Sequence, residues 1–262
     1  MSTSAGIEVV VHADEDSAAR DAADRLLTAL AAAQAARGSA SVVLTGGGIG
    51  IAMLREVAAS ARRDDVDWGA VEVFWGDERF VPAGDAERND AQAREALLDA
   101  LPLDPARVHP MAASDAPEDA GGGDPDHAAD AYAKTLSAAA SRLGGSSGAG
   151  PIPAFDVLLA GCGPEGHVLS IFPDSPAVHA ADAGVVAVRD CPKPPPTRVS
   201  LTLPAARHAR EVWLVAAGGG KAEALARAHG GASEVDVPLA GLRGAERTLW
   251  VLDREAAAQL GS

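Results

Sequence analysis

A glutamate and a histidine lie two residues apart, directly after a predicted buried strand, and together they could move protons. Residues 155–160 form a dense apolar run, followed by a glycine-rich turn at 161–163 and then by Glu165 and His167. Ligands of open α/β sheets bind at the carboxyl ends of the strands, and histidine suits general acid–base catalysis near neutral pH. Glu165 is close enough to influence the orientation or the pKa of the imidazole. Position alone leaves equally open a structural histidine that the backbone satisfies.

A glycine run at residues 45–50, TGGGIG, lies between a predicted strand and a predicted helix. Such a turn can direct the backbone N–H groups of Gly46, Gly47 and Gly48 at an anion, helped by the helix N-terminus. The run lacks the G-K-[ST] ending of a nucleotide-binding P-loop. We favour anion binding over the other interpretation, a tight turn that needs glycine only for a positive φ.

Residues 75–79, WGDER, end the third predicted strand with charged side chains that include Asp77 and Arg79. Their position at the carboxyl end of a strand makes a role in a site at least as good an interpretation as a surface ion pair. Two other motif matches lack the context they need. The G-x-S-x-G pattern at residues 144–148 has no strand before it, and the G-x-G-x-x-G pattern at 161–166 meets Pro173 too soon for a full helix.

The composition narrows the function classes further. Lys plus Arg total 22 and Asp plus Glu total 37, a net charge of −15, which argues against nucleic acid or an anionic membrane as the main partner. A small anionic substrate needs only a local cluster of cations. Cys162 and Cys191 are too few for a disulfide framework or a four-cysteine zinc site, and the other histidines lack metal-ligand spacing. We expect no metal, no signal peptide, no membrane span and a cytoplasmic protein.

Alternating short apolar runs and Ala-rich stretches predict the elements that must position these residues. Continuous apolar strands between amphipathic helices indicate parallel strands buried on both faces. The predicted fold is α/β, an open doubly wound, mostly parallel sheet with helices on both faces, Rossmann-like. Residues 113–126 and 144–150 are predicted to be exposed flexible loops. Strands are predicted at residues 7–12, 41–44, 71–75, 155–160, 184–188, 198–203, 211–217 and 248–252, and helices at 14–36, 51–61, 89–100 (capped by Asn89), 132–143 and 221–228.

Taken together and in order, the motifs resemble the 6-phosphogluconolactonase family, within the larger group of sugar-phosphate isomerases and deaminases. Gly48 stands where the family has a serine, and Glu165 stands where it has an aspartate. The matches span residues from about 42 to 253 and imply one domain over residues 1–262. They are TGGG at 45–48, WGDERFVP at 75–82 with RND at 88–90, GCGPEGHVLSIFP at 161–173, RVSLT at 198–202 and GGGKA at 218–222.

The resemblance implies hydrolysis of 6-phospho-D-glucono-1,5-lactone to 6-phosphogluconate in the oxidative pentose phosphate pathway. His167 would be the general base on water, held by Glu165 or Asp77, with backbone N–H groups near residues 163–166 stabilising the oxyanion. No cofactor is implied, and the partner is the lactone itself, bound by a monomer or weak homo-oligomer. The alternative is a glucosamine-6-phosphate deaminase or isomerase, but the F-N-E-P segment typical of that branch is replaced by SIFP at 170–173.

The phosphate of such a substrate must be held by cations and amides. The candidates are Arg79, Arg198 and Lys221, with the amides of the glycine turn at 46–48. The chain has only three lysines. Lys221 alone follows a strand and a glycine turn, whereas Lys134 and Lys193 are expected outside the motifs.

Overall fold

The computed structural model describes residues 6–145 and 150–261. Within them the chain alternates strands and helices, as its apolar pattern predicts. The strands are β1 (Ile7–His12), β2 (Ala40–Leu44), β3 (Val71–Trp75), β4 (Asp77–Arg79), β5 (Val108–His109), β6 (Val157–Ala160), β7 (Val185–Val188), β8 (Arg198–Leu201), β9 (Glu211–Ala216) and β10 (Arg247–Asp253). The α-helices are α1 (Glu15–Arg37), α2 (Gly48–Ala59), α3 (Asn89–Ala96), α4 (Pro125–Leu143), α5 (Leu203–Ala206) and α6 (Ala222–His229).

Seven strands form one parallel sheet in the order β1-β10-β9-β6-β2-β3-β5. Successive residues of its strands point to opposite faces, so Val43 packs into one hydrophobic cluster while Val42 and Leu44 pack into the other. Helices α1, α2 and α3 cover the second face, and α4, α5 and α6 cover the first. The predicted open, doubly wound α/β fold is confirmed.

The order in which strands are added to the sheet reverses between the neighbours β2 and β6. After β2 the chain adds β3 and β5 on one side, and after β6 it adds β9 and β10 on the other. The loops after these two strands therefore diverge and leave a crevice at their carboxyl ends, which is where open α/β sheets bind ligands. The glycine run after β2 and the segment with Glu165 and His167 after β6 both begin at this crevice.

A second, three-stranded antiparallel sheet, ordered β4-β8-β7, lies beside the first. The sequence pattern predicts β7 and β8 as strands but indicates only one, mostly parallel sheet. It does not predict β4 or β5, because strands of three and two residues are too short to show an alternation of polar and apolar residues. The small sheet sets Arg79 directly opposite Arg198.

The helix boundaries depart from prediction where glycine or acidic residues obscure them. α2 begins inside the glycine run at Gly48, and α4 begins at Pro125 with Asp124 as its N-cap. α3 ends at Ala96, and its N-cap is Arg88, not Asn89. α1 has the expected start, because Asp14 accepts a hydrogen bond from the Ser17 amide.

The predicted flexible loop at 113–126 is held in place by hydrogen bonds. Asp115 accepts a 2.8 Å hydrogen bond from the amide of Ala83, and the amide of Ser114 donates to the carbonyl of Val81 at 3.0 Å. The segment is therefore anchored to the chain that follows β4. In the loop at 144–150, residues 146–149 lie outside the described residues, and so does the serine of the G-x-S-x-G match. Among the described residues, no helix is both long and apolar enough to cross a membrane.

Candidate active site

A cavity of about 120 Å³ occupies the crevice between β2 and β6. It brings together six of the nine site residues expected from the sequence, while Glu165 lies beside it in contact with His167. Gly48 and Lys221 do not line it. The lining residues are Thr45, Gly46, Gly47, Asp77, Arg79, Asn89, Gly161, Cys162, His167, Leu169 and Arg198.

His167 is the one histidine among the lining residues, and its side chain is 16% exposed. Its ring stacks on Phe172 with centroids 4.4 Å apart. Nδ1 lies 3.0 Å from Oε1 of Glu165, within ion-pair distance, although the geometry does not meet that of a hydrogen bond. Burial lowers the pKa of His167, and the charge of Glu165 offsets only part of this effect. The imidazole is therefore mainly neutral near pH 7, the form that can accept a proton.

Glu165 faces the ammonium group of Lys193 and the imidazole of His167. Its Oε2 accepts a 2.9 Å hydrogen bond from Nζ of Lys193 while its Oε1 faces His167. Burial acts to raise the pKa of Glu165, but hydrogen bonds from its own amide and from Lys193, with the charge of His167, lower it to about 2. The carboxylate stays ionised at any pH where the enzyme would work. Lys193 lies in the loop at 192–196, outside the motifs as expected, but its side chain reaches a motif residue, Glu165.

Asp77 lines the cavity but has a different partner. Its Oδ2 accepts a 2.5 Å hydrogen bond from the hydroxyl of Ser170, whose amide donates to the hydroxyl of Ser200 at 3.2 Å. Its carbonyl accepts a 2.8 Å hydrogen bond from Nδ2 of Asn89. Of the two carboxylates proposed to hold the imidazole, Glu165 is the one at ion-pair distance in the described part of the chain.

The two arginines of the cavity bind backbone carbonyls. Arg79 donates from Nη1 to the carbonyl of Glu87, and its buried Nε has no partner in the described residues. Arg198 is buried; it donates from Nε to Pro195 at 3.1 Å and from Nη2 to Lys193 at 3.2 Å. Carbonyl oxygens hold a guanidinium in place without neutralising it, so both positive charges stay available to an anion in the cavity.

The glycine turn approaches the cavity closely. Gly47 has φ +88° and precedes α2, whose N-terminus has no side-chain cap. A Cβ on Gly46 would lie 1.9 Å from Oδ1 of Asn89, so only glycine fits there. The turn therefore needs glycine for its shape, and it lines the cavity with Gly46 and Gly47; anion binding by its amides stays a prediction.

Lys221 ends the turn Gly219–Lys221 after β9 and is partly exposed. Burial raises the pKa of the Cys162 thiol to about 11, and the positive charge of Lys221 opposes this rise. The structure thus places Lys221 near one wall of the cavity without making it a lining residue.

The amides at 163–166 are not free to stabilise an oxyanion, contrary to the prediction. Gly163 donates to the carbonyl of His167 and Gly166 donates to the carbonyl of Gly163, both at 3.0 Å. Pro164 has no N–H, and the amide of Glu165 bonds its own carboxylate. These bonds instead close the tight turn that presents His167.

Four residues that support the site are not among those predicted to form it: Lys193, Asn89, Ser170 and Glu78. The last three lie within the quoted motifs, which gave them no role in the site. Glu78 is buried and accepts hydrogen bonds from the amides of Arg79, Asn89 and Asp90 at 2.7–2.8 Å. It thereby caps α3 and fixes β4 against it. Its position next to Asp77, in a strand of three residues, was the available signal. Nothing in the sequence pattern marks Lys193, which lies between prolines.

A second cavity of about 740 Å³ lies on the other side of Glu165 and Phe172. Its walls are mainly apolar and include Pro173, Pro176 and Val188. Its one arginine, Arg189, pairs with Asp124 and Asp126, whereas the two arginines of the smaller cavity have no carboxylate partner among the described residues. The smaller cavity therefore suits a polar anion far better.

Comparison with known proteins agrees with this geometry. Residues 13–250 match the family model described as glucosamine-6-phosphate isomerases/6-phosphogluconolactonase. The chain is 53% identical over 253 residues to a 6-phosphogluconolactonase of Streptomyces coelicolor, covering 97% of this chain and 94% of the relative. It is 52% identical to one of Mycobacterium tuberculosis, covering 97% and 98%.

Solved structures give the same picture. The structure of 6-phosphogluconolactonase from Trypanosoma brucei superposes with a TM-score of 0.83 at 29% identity, covering 98% of this chain and 100% of that one. A monomeric glucosamine-6-phosphate deaminase superposes with a TM-score of 0.75 at 16% identity, which shows the common fold alone.

Proposed function

This chain belongs to the family of glucosamine-6-phosphate isomerases and 6-phosphogluconolactonases, and we propose that it hydrolyses 6-phospho-D-glucono-1,5-lactone with water that His167 activates. The activity is that of a sugar-phosphate lactone hydrolase, as in the relatives that share half of its residues. One observation carries the mechanism: a neutral imidazole, with Nδ1 3.0 Å from a carboxylate oxygen, lies in a cavity with two arginines that no described carboxylate neutralises.

The chemistry needs one base and no covalent nucleophile, because a lactone is already an activated ester. With the Nδ1 proton of His167 facing Glu165, Nε2 is free to take a proton from water. The water oxygen bonds to C1 of the lactone, and the imidazolium then gives its proton to the ring oxygen as the C1–O bond breaks. Glu165 stabilises the imidazolium between these steps. Such proton transfer contributes roughly 10²–10⁴-fold.

The substrate phosphate is assigned to Arg79, Arg198 and Lys221, with the amides of the glycine turn. Arginine offers a planar fork and lysine a point charge to the phosphate oxygens. The carbonyl partners of the two arginines fix their orientation before the substrate arrives, which lowers the entropy lost on binding. Action as one domain, the cytoplasmic location and the monomeric or weakly oligomeric state are part of this proposal.

The test supplies fresh lactone by enzymatic oxidation of glucose 6-phosphate and follows its hydrolysis, corrected for the spontaneous rate. We expect the wild type to hydrolyse the lactone and to release no ammonia from glucosamine 6-phosphate. His167→Ala should lose roughly 10²–10⁴-fold in kcat, whereas His127→Ala, an exposed histidine on α4, should match the wild type. Full kcat in His167→Ala would refute the assignment of the base.

The phosphate assignment has its own test. Lys221→Ala should raise KM for the lactone by roughly 10-fold with a smaller change in kcat, the loss of one partly exposed charge contact. Lys134→Ala removes the same charge from an exposed position on α4 and serves as the matched control. An unaltered KM in Lys221→Ala would remove Lys221 from the phosphate site.

A further inference from the structure

We propose that Lys193 is a positioning residue, which holds one oxygen of Glu165 so that the other oxygen faces Nδ1 of His167. The proposal rests on the proposed function, in which His167 is the base. It adds a residue that the sequence motifs do not contain, on the loop at 192–196 between β7 and β8.

The ammonium group of Lys193, the carboxylate of Glu165 and the imidazole of His167 contact one another in that order. Nζ of Lys193 lies 2.9 Å from Oε2 of Glu165, and Oε1 of Glu165 lies 3.0 Å from Nδ1 of His167. The carboxylate therefore faces the ammonium group with one oxygen and the imidazole with the other. Glutamate has more rotatable bonds than the aspartate that the family motif has at this position, and a second contact restricts that freedom.

The loop that bears Lys193 is itself fixed to the cavity. The carbonyl of Lys193 accepts a 3.2 Å hydrogen bond from Nη2 of Arg198, and the amide of Cys191 donates to the carbonyl of Pro196 at 2.9 Å. The side chain of Lys193 is 42% exposed and that of Glu165 is 30% exposed. Lys193 thus approaches Glu165 from the solvent side while its backbone is tied to a buried residue of the site.

The charges that face His167 come from four elements. Glu165 and Asp77 favour its protonated form, and Lys193 disfavours it. Arg198 lies over the ring of Phe172, which stacks on His167, and its guanidinium is 5.9 Å from the centroid of the Phe172 ring. Loss of the ammonium group should therefore have two opposite effects on the pKa of His167. Removal of the positive charge raises it, and release of Glu165 from its fixed orientation lowers it.

The experiment compares Lys193→Met with Lys193→Arg and with the control Lys134→Met. We expect Lys193→Met to lower kcat roughly 10-fold, within the loss of about 10²-fold that a misplacement of 1 Å can cause, with KM nearly unchanged. Lys193→Arg keeps the charge and should restore most of the rate, and Lys134→Met should match the wild type. Glu165→Gln combined with Lys193→Met should be no slower than Glu165→Gln alone, because Lys193 acts through that carboxylate.

The second measurement follows the titration of His167 by NMR in substrate-free protein, with His167→Asn to assign its signals. In the Glu165→Gln background Lys193→Met removes only a charge, and we expect the pKa of His167 to rise by roughly half a unit, the size expected for a partly exposed neighbouring charge. With Glu165 present the rise should be smaller or reversed, because the released carboxylate no longer faces Nδ1 and no longer favours the protonated imidazole. Equal shifts in the two backgrounds overturn the proposal. So do a raised KM with unchanged kcat, which makes Lys193 a substrate ligand, and additive losses in the double variant.

These outcomes are separate from those of the proposed function. If His167→Ala kept full activity, the assignment of the base would fail. The NMR titration would still report whether Lys193 and Glu165 act on the imidazole, because it uses no substrate and no turnover.

Discussion

Gly163→Ala is the sharpest perturbation that the site offers. A Cβ at this position would lie 2.1 Å from Nδ1 of His167 and 2.4 Å from Oε2 of Glu165. Real Cβ atoms essentially never approach a heavy atom closer than 3.0 Å, so the imidazole must move by at least the difference, 0.9 Å. A misplacement of about 1 Å at a reacting group costs roughly 10²-fold in rate, which is about 2.7 kcal/mol of the activation barrier.

The assay is the lactone hydrolysis described above, with kcat and KM measured separately and thermal unfolding recorded for each variant. We expect kcat to fall about 10²-fold while KM changes little, because the added methyl group faces the base and not the arginines. Gly84→Ala is the matched control, since Gly84 is exposed and a Cβ there meets nothing within 4 Å. If Gly163→Ala kept kcat within about threefold of the wild type, the pair of Glu165 and His167 would not be the catalytic group.

Three further predictions follow from the same contacts. Burial lowers the pKa of His167, so the acid limb of the kcat/KM profile should lie below the ordinary value of about 6.5, and Glu165→Gln should move it lower still; an unmoved limb would contradict this. Glu78→Ala removes a buried carboxylate that accepts three backbone amides and should cost about 3–5 kcal/mol in urea unfolding; a loss under about 1 kcal/mol would refute the capping role. Tyr132→Phe removes the hydroxyl bonded to the amide and carbonyl of Trp75 and should cost about 1–3 kcal/mol, and an unchanged urea midpoint would count against it.

The main sheet could be predicted from the sequence because its strands are buried on both faces. A strand such as β9 must then be apolar at nearly every position, and a glycine turn at 218–220 follows it. β1 and β3 occur at the predicted residues. The position of His167 after β6 followed from the same pattern, since the carboxyl end of a buried strand is where a ligand meets the sheet.

The partners of the site residues could not be predicted in the same way, because long-range contacts and short strands leave no local pattern. β4 has three residues, and its pairing with β8 joins positions more than 100 residues apart. The hydroxyl of Ser170 reaches Asp77 across 93 residues, and Lys193 reaches Glu165 from a loop with no periodicity. The family motifs contain Ser170 without indicating its partner, and they left open whether Glu165 or Asp77 holds His167.

Charge pairing explains how a chain of net charge −15 can bind a phosphorylated substrate. Many of its arginines lie against carboxylates: Arg142 pairs with Glu72, and Arg247 pairs with Glu8 and Glu211. Arg79 and Arg198 differ, since the partners described for them are neutral carbonyls. An arginine keeps its charge at any accessible pH. Arg198 is buried and Arg79 is half-buried, and a buried cation without a counter-charge costs several kcal/mol. A phosphate that enters the cavity supplies that counter-charge, so the free-energy cost left in the empty site becomes affinity for the anion.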